Sequence, residues 1–201
     1  NYLLIFTDMG KVYWKKAYEI PEGNKISKGR AVQNLINIEP GDNVRAIINV
    51  KTLEDPDYIN NNYVILCTEK GIIKKTSLEA YSRPRQAGIN SITIYPGDRL
   101  LNATLTNGQN HIVIAKSEGK AVHFHESDVR PMGRTAAGVR AVTLDSVNDK
   151  VIGMICITRE DANLLVVSEN GYGKRSDMDD YRITKRGGKG VKTINITEKT
   201  G

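Results

Sequence analysis

The sequence predicts an all-β fold of repeated four-stranded blades set side by side as in a propeller, and three observations carry that prediction. An apolar run closed by a glycine turn occurs four times, a second glycine follows each at a near-constant offset, and no long stretch has helical periodicity. The chain has 201 residues, 39% of them hydrophobic and 26% charged. That balance is ordinary for a globular protein with one sizeable core or two small ones.

The four runs end at Gly10, Gly71, Gly119 and Gly171. Each glycine closes a polar turn between two strand-like stretches, as a hairpin requires, because glycine tolerates positive φ. Ten residues on stands an apolar or aromatic residue: Ile20, Tyr81, Val129 or Tyr181. The second glycines are Gly29, Gly88, Gly138 and Gly190, and β-rich runs such as 89–94 and 139–144 follow them. Pro40-Gly41-Asp42 and Pro96-Gly97-Asp98 read as turns into a last strand such as 44–48. The units are approximately 1–60, 61–108, 109–160 and 161–201, within one bladed domain over 1–201. Residues 55–62, a polar insertion, read as a loop. The fourth unit stops before its last strand, and the start at Asn1 inside a strand-like run reads as that of an excised piece. Such units cannot bury both faces alone, and stacking them side by side does so. Two sandwiches in tandem are the alternative architecture.

The formal net charge is +6, and its location is informative. Residues 20–32, 81–89, 129–139 and 181–191 carry eleven basic residues against one acid, Glu22, and the rest of the chain is net acidic. The basic residues are Lys25, Lys28, Arg30, Arg83, Arg85, Arg130, Arg134, Arg182, Lys185, Arg186 and Lys189. Equivalent loops of stacked blades share a rim, so repetition turns four clusters into a curved basic belt. Arg140, just past Gly138, joins it, and Lys74, Lys75, Lys174 and Arg175 on the neighbouring strands read as a further contribution. Spaced cations of this kind suit double-stranded DNA, whose phosphates they hold without reading bases. In the loop Lys185-Arg186-Gly187-Gly188-Lys189-Gly190, the glycines would let the backbone approach phosphate.

Other classes find little support. No catalytic constellation stands out, and neither Gly-Lys segment fits a P-loop. No cofactor is expected. His123 and His125 share a strand face, but no cysteine is near them in sequence, so no metal site is expected. Aromatics are 6% of residues, which speaks against base-stacking platforms. No apolar run approaches the ~20 residues that span a bilayer, so no membrane partner is expected. Cys67 and Cys156 lie singly in apolar runs and read as reduced thiols of a cytoplasmic protein.

Several motifs resemble one family across essentially the whole chain. They are Gly10-Lys11-Val12-Tyr13-Trp14, Tyr18-Glu19-Ile20-Pro21, Ser82-Arg83-Pro84-Arg85, the stretch 132–140 (Met-Gly-Arg-Thr-Ala-Ala-Gly-Val-Arg) and 169–175 (Glu-Asn-Gly-Tyr-Gly-Lys-Arg). All are similar to the C-terminal domain of the A subunit of bacterial type IIA topoisomerases, in its DNA gyrase form. The resemblance implies a β-pinwheel of about six blades, of which this chain is a fragment, whose neighbours exchange a strand. It further implies a non-catalytic domain that wraps DNA on its outer rim with positive handedness in support of negative supercoiling. The rest of the gyrase A protein, and through it the gyrase B protein, become the implied partners. The family's box, Q-R-R-G-G-K-G, is nearly matched by residues 184–190, with Thr184 for Gln and Lys185 for Arg. The match implies phosphate contacts for Lys185, Arg186 and Lys189, with Gly187, Gly188 and Gly190 shaping the loop. In gyrase the box lies in the first blade, whereas here it falls in the last unit. The homologous C-terminal domain of topoisomerase IV and, from another class, a propeller-like protein-interaction scaffold are the alternatives.

Overall fold

The computed structural model describes residues 1–159 and 161–201. Its strands, in chain order, are β1 (Tyr2–Thr7), β2 (Lys11–Lys16), β3 (Val44–Val50), β4 (Tyr63–Thr68), β5 (Ile72–Ser77), β6 (Ile89–Asn90) and β7 (Leu100–Thr106). There follow β8 (His111–Lys116), β9 (Lys120–His125), β10 (Val139–Arg140), β11 (Val151–Ile157), β12 (Asn163–Val167), β13 (Gly173–Asp177) and β14 (Val191–Lys192). They form sheets ordered β3-β1-β2-β6, β7-β4-β5-β10 and β11-β8-β9-β14, with β12-β13 as a two-stranded sheet. Strand neighbours within the sheets pair antiparallel.

The fourth strand of each four-stranded sheet comes from the following unit. Thus β6 of the second unit pairs with β2, β10 of the third with β5, and β14 of the fourth with β9. These strands are only two residues long, shorter than the β-rich runs around them suggest. Each is reinforced at the same point: the carbonyls of Gly10, Gly71 and Gly119 accept the N–H groups of Ser91, Ala141 and Thr193, each at 2.8 Å. This close approach explains the first glycine of the repeat. At Gly119, φ is +75° and a Cβ would lie 2.4 Å from the Ile194 carbonyl oxygen, so no other residue fits without backbone movement.

The hairpin turns are held by a repeated aspartate. Asp42, Asp98 and Asp149 accept the turn N–H of Met9, Lys70 and Glu118 at 3.1, 3.0 and 3.3 Å. A β-bulge recurs one strand further in, where β1, β4 and β8 meet β3, β7 and β11. Strand β7 packs against both β3 and β11, so these three line one side of the array. The exchanged strands β6, β10 and β14 form the opposite, outer edge.

Apolar side chains fill the gaps between consecutive sheets. Along β4, Val64 and Leu66 point into a cluster with Leu4, Phe6, Trp14 and Tyr81, while Ile65 and Cys67 point into one with Ile112, Ile114 and Phe124. Both faces are therefore buried, which is why the run is continuously apolar rather than alternating. Full burial of each such side chain contributes about 1.5–3 kcal/mol.

Residues 55–62 differ from the expected loop. Pro56–Asn61 form a short helix, α1, capped by Asp55, whose carboxylate accepts from the N–H of Asp57 and Tyr58 at 3.0 and 3.3 Å. Aspartate at the N-cap with proline next is a helix-start signature. Ile59 tethers the helix to the first inter-sheet core.

Candidate nucleic-acid interface

Each basic loop begins where the second strand of its hairpin ends in a 3-10 turn: Ala17–Glu19, Leu78–Tyr81, Glu126–Asp128 and Met178–Asp180. In the last three units the next marker residue, Tyr81, Val129 or Tyr181, is buried. The chain then crosses to the outer edge of the preceding sheet. Two side chains of the preceding unit catch the marker: Trp14 Nε1 donates to the Tyr81 carbonyl at 2.9 Å, and His123 Nδ1 lies 2.7 Å from the Tyr181 carbonyl.

The loops are held to the preceding unit's exchanged segment by a repeated set of bonds. Thr93 donates through its N–H to Ala136 O at 3.2 Å and through its hydroxyl to Thr135 O at 2.6 Å. Thr143 does the same to Gly188 O and Gly187 O, at 2.9 and 2.7 Å. Arg134 donates to Asn90 O at 3.4 Å, and Arg186 donates to Arg140 O at 2.9 Å and Asp128 O at 3.0 Å. These two arginines are partly buried and fasten the loop to the edge of its neighbour.

Lys74 and Lys75 are corrections to the surface reading. Lys74 is fully buried, and its ammonium donates to Gly133 O at 3.0 Å and Arg134 O at 2.6 Å. Burial, with Arg134 adding repulsion, pushes its pKa down to about 7. Lys75 pairs at 2.9 Å with Glu126, which is also buried, and lies 4.5 Å from the centre of the Tyr63 ring. Both lysines bind the second unit to the third and present no charge to solvent.

The remaining cations lie outward. Lys25, Lys28, Arg30, Arg83, Arg85, Arg130, Arg140, Lys174, Arg182 and Lys189 are exposed, and among the described residues none of them enters an ion pair. Arg175 is exposed and donates to the Asn163 side chain at 2.7 Å. Lys185, 88% exposed, pairs with Asp128 at 2.9 Å, a surface contact that contributes at most about 1 kcal/mol and is readily exchanged.

The glycines of the box-like loop divide by role. A Cβ on Gly190, where φ is +86°, would lie 2.4 Å from the Ala121 carbonyl oxygen, so this glycine serves packing. The Gly187 N–H donates to Ala141 O at 2.6 Å and is thus engaged within the protein. Gly188 is exposed.

One acidic cluster leaves no mark in the sequence. Carboxylates of Glu118, Asp145 and Asp149 lie within 4.8 Å of one another. Lys116 is buried among them, paired with Asp145 and, at 3.2 Å, Asp149, while Lys120 reaches Asp145 at 3.1 Å. Hydrogen bonds from the two lysines hold the Asp145 carboxyl below its ordinary pKa. The cluster is an internal ion-pair network, built from residues about thirty positions apart.

This architecture has known counterparts. Four stretches, 1–51, 62–107, 111–158 and 162–201, match the family model described as DNA gyrase C-terminal domain, beta-propeller. The chain belongs to the DNA gyrase C-terminal domain family. It is 41% identical to the DNA gyrase A protein of Chlamydia pneumoniae over 203 residues, covering 100% of this chain and 24% of that protein. It is also 41% identical to the DNA gyrase A protein of Staphylococcus aureus strain MRSA252, covering 100% of this chain and 22% of that protein. The chain thus spans about a quarter of the length of these relatives. Among solved structures, the DNA gyrase A C-terminal domain matches at TM-score 0.79 and 28% identity, over 100% of this chain and 62% of that one. The C-terminal domain of DNA topoisomerase IV matches at TM-score 0.84 and 26% identity, over 95% and 58%. The gyrase A relatives favour the gyrase form over the topoisomerase IV form. Among the described residues no helix is long and apolar enough to cross a membrane.

Proposed function

We propose that this gyrase C-terminal domain binds duplex DNA without reading its sequence and bends it along the outer edge of the array. It does so as a non-catalytic, cytoplasmic part of a gyrase A protein, supporting supercoiling together with the gyrase B protein. One observation carries the reading: exposed, unpaired loop cations recur at the same place on successive units, next to the exchanged strands β6, β10 and β14. Smooth bending of 20–30 bp costs on the order of 1–6 kcal/mol, and phosphate contacts repeated along an arc offset it. The anchoring of the loops by Thr93, Thr143, Arg134 and Arg186 supports the reading, because it fixes the spacing of the cations before DNA arrives. If about six cations engage, log K falls with log salt at a slope near −5.

The test is ligation of a nicked circular plasmid with increasing amounts of the chain, followed by linking-number analysis after deproteinisation. A positive shift that grows with protein supports wrapping in one hand. An unchanged distribution under conditions where binding is measured would sink the wrapping reading.

A further inference from the structure

The chain has three histidines, and the fold gathers all of them. His111 lies on β8; His123 and His125 lie two residues apart on β9 and so share its face. The strands pair with His111 opposite His125. The His111 ring centre is 5.0 Å from that of His123 and 5.0 Å from that of His125. Sequence spacing hides this cluster, because the β8–β9 hairpin separates the first histidine from the other two.

The hydrogen bonds set the chemistry. His123 Nδ1 faces the Tyr181 carbonyl oxygen at 2.7 Å, and its Nε2 lies 3.1 Å from His111 Nδ1. A carbonyl only accepts, so Nδ1 of His123 carries the proton and Nε2 presents a lone pair. A ligating histidine is commonly oriented in this way, by a carbonyl on its other nitrogen. His111 donates from Nδ1 in this arrangement; moving its single proton to Nε2 turns a second lone pair toward the first. Two nitrogens each about 2.0–2.1 Å from one ion lie about 2.9–3.4 Å apart for angles from octahedral to tetrahedral, and the observed separation falls inside that range.

The pair opens on a cleft of about 650 Å³, between the third sheet and the loop of the fourth unit, that is also lined by Asn110, Arg159, Asp179 and Arg182. We propose that His111 and His123 form a site for a divalent transition-metal ion of the zinc, nickel or copper type. Water from the cleft completes the shell. Imidazole nitrogens select these ions over magnesium or calcium. Because His123 also holds the Tyr181 carbonyl, the ion braces the seam between the third and fourth units.

The test is calorimetric titration of the untagged chain with Ni²⁺, repeated with Zn²⁺, alongside thermal unfolding with and without the ion. The expected result is one ion per chain, a higher Tm with the ion present, and binding roughly tenfold or more weaker in His111→Gln. His111 is only partly buried, so that variant should fold, as circular dichroism would establish. His111→Asn serves the same purpose if the Gln variant does not fold. Absence of Ni²⁺ and Zn²⁺ binding to the wild-type chain overturns the site. So does binding that stays within about twofold of wild type in a folded variant, which would place the ion elsewhere.

Discussion

Strands β4 and β12 carry nearly the same sequence pattern, yet the structure treats them differently. In β4, residues 64–67 are fully buried, alternate side chains entering the cores on either side. In β12, Leu164 is buried against the third sheet, but Leu165 and Val167 are 64% and 56% exposed. The difference lies in the neighbours, since β4 stands between two sheets and β12 has a sheet on one side among the described residues. A single hairpin of this repeat writes apolar residues for two faces and can cover neither by itself. Burial, and with it stability, belongs to the seams between units.

The largest expected effect therefore separates these strands. Leu66→Ala should cost about 2–5 kcal/mol, whereas Leu165→Ala should stay within about 0.5 kcal/mol. Denaturant unfolding of both variants checks this, and equal losses would mean that the sheets are stable one by one.

A smaller contrast concerns the loop glycines. Gly190→Ala must displace the Ala121 carbonyl, while a Cβ at Gly29 meets nothing within 4 Å although φ is +70°. Gly29→Ala should cost only the left-handed penalty of about 1–2 kcal/mol, and Gly190→Ala clearly more. The ranking of the two midpoints in the same unfolding assay decides it.

A third effect is electrostatic. A free lysine keeps its proton to about pH 10, but buried Lys74 holds its own only to about 7. Between these values the unfolded chain binds more protons, so the contribution of Lys74 to stability rises with pH across that window. In Lys74→Met that rise should vanish. Melting temperatures of both proteins at neutral and mildly alkaline pH measure it, and a constant gap would show that Lys74 is not desolvated.

Much of this fold is legible because its devices are local. Glycine turns, proline–glycine–aspartate turns and continuous apolar runs each state a short-range requirement, and the four copies reinforce one another. The Asp55-Pro56 helix start is equally local but hidden within a polar stretch. What cannot be read are the partners across a seam. Lys74-Lys75 looks like a solvated pair until Glu126 and the 133–134 carbonyls, about fifty and sixty residues on, are brought to it. Likewise, nothing in the string Lys185-Arg186-Gly187-Gly188-Lys189 separates Arg186, tied to two carbonyls, from Lys189, which points outward. The exchange of strands followed from family resemblance, since a two-residue strand leaves almost no periodicity to detect.

That exchange puts the written repeat and the folded sheet out of phase. Wherever the chain is divided between β3 and β12, at least one sheet is parted from a strand that completes it, as β5 would be from β10 by a break after residue 108. The array is thus closer to knitting than to beads on a string. Units can be added by duplication, each new one finishing the row before it, but none can be cleanly excised from the middle.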